Sequence, residues 1–139
     1  MRIKTIEIKN YKAFYKNYEI NANGKNLFIY GENGSGKSSL YYALKDFFQS
    51  SREQIDFNDL ENVFLKKNEQ GKGFIKVTFN PDKDGNLVDK TYHFSSTSKD
   101  TYVISDSSIR AAIGLKSFLK YKHLLGIYNI KKDKEIDIF

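Results

Sequence analysis

Apolar and polar side chains alternate from Lys4 to Lys9, with Ile6 and Ile8 on one face and Thr5, Glu7 and Lys9 on the other. A period of two is that of a half-buried strand, so the chain opens on one. After Asn10-Tyr11-Lys12-Ala13-Phe14 a second strand is expected over Tyr15 to Ile20, closed by a turn at Asn21-Ala22-Asn23-Gly24. Leu27-Phe28-Ile29-Tyr30 is a continuous apolar run bounded by Asn26 and Gly31, the pattern of a strand buried on both faces in the centre of an α/β sheet. Beyond Gly36 the period becomes helical, since Leu40, Ala43, Leu44, Phe47 and Phe48 share one face, predicting a helix from about Lys37 to Gln49-Ser50-Ser51. A polar segment then runs to Gly73, with a short helix expected over Asn58 to Lys67 carrying Leu60, Val63 and Phe64. Phe74 to Phe79 alternates again, Asn80 to Asn86 reads as a turn, and Leu87 to Phe94 pairs back as an antiparallel hairpin. Ser95 to Thr101 is a polar loop and Tyr102-Val103-Ile104 a short apolar run. A helix carrying Ile109, Ala112 and Ile113 follows, then a mostly helical stretch from Leu115 to Tyr128. No repeat or linker divides the 139 residues, which fit one domain.

Composition narrows the function classes. At 40% hydrophobic and 29% charged the chain is of ordinary globular type. The absence of cysteine excludes disulfides, thiolate metal sites and thiol catalysis, and suits a reducing cytoplasm. The alternating N-terminus is neither a signal peptide nor a membrane span, so no membrane partner is expected. A net charge of +6 favours polyanions as partners, DNA among them, although the basic pairs Lys66-Lys67 and Lys131-Lys132 are interrupted by acids. His93 and His123 have no second ligand at metal spacing, and Asp82 to Asn86 lacks the acids of a calcium loop.

The chemistry lies in Gly31-Glu32-Asn33-Gly34-Ser35-Gly36-Lys37-Ser38, which matches G-x-x-x-x-G-K-[ST] at every fixed position. Glycines let the chain curl so that successive amides face phosphate oxygens at the positive end of a helix. Lys37 brings charge toward the β- and γ-phosphates, and Ser38 offers a hydroxyl to Mg²⁺. Ser39 and the amides of Asn33, Gly34, Ser35 and Gly36 complete the cradle. A chance match in a chain of this length arises about once in two hundred sequences at ordinary residue usage. Its position between a strand and an amphipathic helix is where this Walker A loop works.

The order of a basic strand, Asn10-Tyr11-Lys12-Ala13-Phe14, a strand ending at Ile20, and Leu27 through Leu40 resembles the N-terminal half of the ABC-type ATPase head of RecF, SMC and related bacterial AAA-family ATPases. Residues 1–50 carry the specific match; 74–128 match in architecture only. The resemblance implies an α/β P-loop NTPase half-domain with a mixed sheet, a Walker A helix and an antiparallel hairpin subdomain. It implies ATP and Mg²⁺ as cofactors, and Lys12, of the family's N-[FY]-[RK] element, as a further nucleotide ligand beside Asn33. The alternative for Lys12 is an exposed turn lysine. Hydrolysis in the family needs a Walker B strand ending in Asp-Glu and a Leu-Ser-Gly-Gly-like signature, neither of which occurs here. The expectation is therefore that residues 1–139 form the N-terminal ATP-binding lobe of a longer protein, with no catalytic residue of its own. A missing C-terminal lobe and a head-to-head homodimer are its implied partners, and DNA repair, chromosome maintenance or phage defence its setting. A small autonomous P-loop kinase and a non-enzymatic nucleic-acid-binding module are the alternatives.

Overall fold

The computed structural model describes residues 2–80, 89–98, 101, 109, 110 and 112. Strands β1 (Ile3–Tyr11), β2 (Phe14–Asn21), β3 (Phe74–Phe79) and β4 (Lys90–Ser95) form one antiparallel sheet in the order β2-β1-β3-β4, and helix α1 (Lys37–Gln49) packs against it. The expected α/β class, first helix and hairpin are all present, and every pairing among the described strands is antiparallel.

The period-two pattern translates directly into burial. Ile6 and Ile8 of β1, Ile75, Val77 and Phe79 of β3, and Tyr92 and Phe94 of β4 point into the core, where Leu40, Ala43, Phe47 and Phe48 of α1 meet them. Phe48 stands edge-on to Phe79 and Phe57 to Phe94, at centroid separations of 6.4 and 5.2 Å. On the opposite face the Lys76 ammonium pairs with Glu7 at 2.7 Å and Thr78 bonds Thr91, so the polar half of the alternation is paired across strands.

One irregularity decides how the site is built. Between Lys9 and Tyr11 the register of β1 slips, and Asn10 takes the left-handed conformation at φ 53°. Asparagine tolerates that conformation. Its side-chain oxygen accepts the Lys16 amide at 3.0 Å and its carbonyl accepts the Asn62 amide at 3.0 Å. The slip turns both Asn10 and Tyr11 inward, breaking the alternation.

Two expectations are overturned. Leu27–Tyr30 is not a buried central strand. It pairs with none of the described strands, and Phe28 and Tyr30 are 91% and 90% exposed. An apolar run becomes a core strand only when neighbours occupy both its edges, and the described sheet places none there. The short helix expected over Asn58 to Lys67 shrinks to a 3₁₀ turn at Asn58–Leu60, leaving Val63 and Phe64 88% and 82% exposed. Asn62 diverts the backbone, because its side chain donates to the Lys12 carbonyl and accepts the Phe64 amide at 2.9 Å, an Asx turn that competes with helix. Ile109, Arg110 and Ala112 are helical as expected. The hairpin turn beyond Asn80, with Asp82 to Asn86, lies outside the described residues, as do Tyr102-Val103-Ile104, Leu115 to Tyr128, His123 and Lys131-Lys132.

Candidate functional site

The loop between Tyr30 and α1 is shaped by two left-handed glycines, Gly34 at φ 85° and Gly36 at φ 88°. Gly36 is also the N-cap of α1 and has no side chain to satisfy the first helical amides. The amides of Lys37, Ser38 and Ser39 therefore open the helix without an intrahelical acceptor before them, at its positive end. The Ser35 amide closes a turn on the Glu32 carbonyl at 3.2 Å. The Lys37 ammonium folds back across the curl, donating to the carbonyls of Gly31 and Glu32 and to the Ser35 hydroxyl at 3.2 Å. An ammonium has three donors, and here the loop itself takes all three, which holds the curl in shape.

Asn33, Gly34, Gly36, Lys37, Ser38 and Ser39 line one open cavity of about 200 Å³ together with Ala13. Ser35 faces instead a neighbouring space of about 380 Å³ between Phe14, Phe28, Tyr30 and Lys37. The strand turn is tied to the helix where the Ala13 amide donates to the Ser39 hydroxyl at 3.3 Å. Among the described residues nothing engages the Ser38 hydroxyl, so it stands ready as an oxygen ligand. A single hydroxyl suits Mg²⁺, which keeps several waters and takes further oxygens from a phosphate chain. Among the described residues no cluster of three His, Cys, Asp or Glu side chains forms a separate metal site.

Lys12 is neither in this cavity nor a free turn lysine. At φ 44° it directs its ammonium along α1, 4.5 Å from the Tyr42 ring centroid, 5.5 Å from that of Tyr11 and 4.0 Å from the Asp46 carboxylate. Asp46 is buried and accepts the Tyr11 hydroxyl at 2.6 Å. Burial, reinforced by that hydrogen bond and the carboxylate's charge, pushes the Tyr11 phenol far above its ordinary ionisation range. In Asn10-Tyr11-Lys12, then, Asn10 makes the bulge, Tyr11 supplies the buried donor, and Lys12 sets a cation on an aromatic ring.

Sequence reasoning did not single out Asp46. The signal was present, since an acid at position 46 falls beside Ala43 and Phe47 on the helix face that is otherwise core. A charge there needs partners. Those partners, Tyr11 at the end of β1 and Lys12 just after it, come from more than thirty residues earlier, so only the fold supplies them. His93 lies in β4 with its ring 5.2 Å from that of Phe74, a structural contact. Phe47 and Phe48, read from their spacing as part of the apolar helix face, are buried.

Comparison with known proteins adds the family. No curated protein matches the chain. A solved structure described under "Structural biochemistry of ATP-driven dimerization and DNA stimulated activation of SMC ATPases" is similar at 17% sequence identity and a TM-score of 0.49, over 91% of this chain and 99% of that one. A family model described as an AAA ATPase domain matches residues 1–138, essentially the whole sequence. Matched along essentially its whole length, the chain belongs to the AAA ATPase domain family.

Proposed function

We propose that this chain binds the polyphosphate of ATP with Mg²⁺ through the Gly31–Ser39 loop, as the N-terminal lobe of an RecF/SMC-like ATPase that acts on DNA. The observation that carries the reading is the convergence of Asn33, Gly34, Gly36, Lys37, Ser38 and Ser39 on one cavity at an uncapped helix start. Phosphate needs amide donors, a cation and a helix N-terminus, and the loop has all three. Lys37 reaches the terminal phosphates by exchanging its loop carbonyls for phosphate oxygens. The exchange is favoured because a charged acceptor binds an ammonium more strongly than a neutral carbonyl does. Ser38 supplies the one protein oxygen for Mg²⁺.

The wider assignment rests on the resemblance over residues 1–50. On that reading ATP holds two heads together, a C-terminal lobe contributes the hydrolytic carboxylates, and the work is done on DNA in repair, chromosome maintenance or phage defence in the cytoplasm. No helix among the described residues is long and apolar enough to cross a membrane.

Equilibrium titration of a fluorescent ATP analogue, with and without Mg²⁺, tests the core of the proposal. Saturable binding strengthened by Mg²⁺ and competed by inorganic tripolyphosphate is expected. Failure to bind at millimolar ligand would make the loop a structural turn.

A further inference from the structure

Lys12 occupies a seat built from three groups that the phosphate loop does not contain: the Tyr42 ring, the Tyr11 ring and the Asp46 carboxylate. The seat is asymmetric. Asp46 is buried and already satisfied in part by the Tyr11 hydroxyl at 2.6 Å, whereas its approach to the Lys12 ammonium, at 4.0 Å, is that of an ion pair without a close hydrogen bond. The Lys12 side chain keeps about a third of its surface in solvent. It is therefore held, but loosely.

The route to the phosphate cavity is short. Ser39, Tyr42 and Asp46 fall at i, i+3 and i+7 and so lie along one face of α1. At about 1.5 Å per residue the seat on Tyr42 is about one turn from Ser39. Ala13, the next residue after Lys12, lines the cavity and bonds Ser39. The Lys12 backbone is pinned at that point, since its amide donates to the Leu60 carbonyl at 3.0 Å and its own carbonyl accepts from Asn62. With the backbone anchored, the four-carbon stem is the part of Lys12 that can reorient, between the Asp46 carboxylate at 4.0 Å and the cavity that the next residue, Ala13, lines.

We infer that Asp46 is a positioning residue that, with Tyr42, holds the Lys12 ammonium away from the phosphate loop until a polyphosphate draws it across. The inference rests on the proposed nucleotide binding and adds a resting state to it. Polyphosphate carries several negative charges against the single one of Asp46, and it is reached without moving the backbone. The stored attraction to Asp46 is subtracted from ligand affinity.

A double-mutant cycle in the 139-residue chain tests this, read as the dissociation constant of a fluorescent ATP analogue at fixed Mg²⁺. Asp46→Asn keeps an acceptor for the Tyr11 hydroxyl and is expected to tighten binding about three- to tenfold, in the range of a partly exposed ion pair. Lys12→Met is expected to weaken it by a similar factor, and Asp46→Asn on top of Lys12→Met to give no gain. Tyr42→Leu, which removes the ring but leaves the carboxylate, should tighten binding about twofold and covers the case in which Asp46→Asn does not fold. A second readout is the Lys12 Cε resonance in ¹³C-lysine-labelled protein. It should lie upfield over the tyrosine rings in the free chain and move to the normal lysine position when inorganic tripolyphosphate is added.

An equal gain from Asp46→Asn with Met at position 12 would mean that Asp46 acts only through its general field, and would overturn the inference. So would a Lys12 resonance that stays put at saturation. If the wild-type chain binds neither the analogue nor tripolyphosphate, the proposed function and the inference fall together. If it binds but Asp46→Asn and Tyr42→Leu match wild type, the inference alone falls.

Discussion

Replacing Tyr11 by Phe removes one oxygen from a side chain that is fully buried. The ring and its contact with Phe57, at a centroid distance of 6.0 Å, stay in place, so no cavity of consequence opens. What is lost is the 2.6 Å hydrogen bond to the buried Asp46 carboxylate. A hydrogen bond to a charged group contributes about 1.5–3 kcal/mol, and among the described residues the carboxylate left behind keeps only the more distant Lys12, so a loss near 2 kcal/mol is expected at pH 7. For a domain of this size that lowers the melting temperature by about 6–8 °C.

The pH dependence makes the prediction specific. The Tyr11 phenol ionises near its ordinary value of 10.0 when the chain is unfolded, but its folded value is raised well above that. Above pH 10 the unfolded chain therefore binds fewer protons than the folded one, and the contribution of Tyr11 to stability falls as pH rises, by about 1.4 kcal/mol per pH unit. Phe cannot ionise. The difference between wild type and Tyr11→Phe, in which the other tyrosines cancel, should hold at about 2 kcal/mol from pH 7 to pH 9.5 and close near pH 11.5. Urea denaturation followed by far-ultraviolet circular dichroism across that range measures it. A difference below about 0.5 kcal/mol at pH 7, typical of a surface change, or a gap that stays constant to pH 11.5, would refute the reasoning.

Lys37→Ala should weaken triphosphate binding at least tenfold and diphosphate binding less, with an unchanged circular dichroism spectrum, because among the described residues the Lys37 ammonium bonds only its own loop. Intact affinity would remove the phosphate assignment. The 139-residue chain should turn ATP over negligibly, since no apolar strand ends in Asp-Glu; a steady rate near 1 s⁻¹ or more in a phosphate-release assay would contradict this. Phe28→Ser with Tyr30→Ser should cost less than about 1 kcal/mol while raising the concentration at which the protein precipitates, because both rings are almost fully exposed. A large loss of stability in urea would show that the Leu27–Tyr30 run is packed after all.

Whatever depends on neighbours close along the chain was legible in the order of residues. The period-two runs became β1, β3 and β4, the helical run became α1 at Lys37–Gln49 as read, and the glycine spacing became the curled loop, because each is a local consequence of side-chain period or backbone freedom. Features that need partners from distant segments emerged only in the folded chain. Leu27–Tyr30 is apolar enough for a central strand, yet burial requires neighbours that the described sheet does not place beside it. Asn58–Lys67 has helical spacing, yet Asn62 reaches a carbonyl fifty residues back and bends the chain away. Lys12 could have been an exposed turn residue or a ligand by its motif alone. The bulge at Asn10 and the acid at Asp46 set its ammonium on the Tyr42 ring, because a buried charge draws the nearest available donor and cation toward it whatever their distance in sequence.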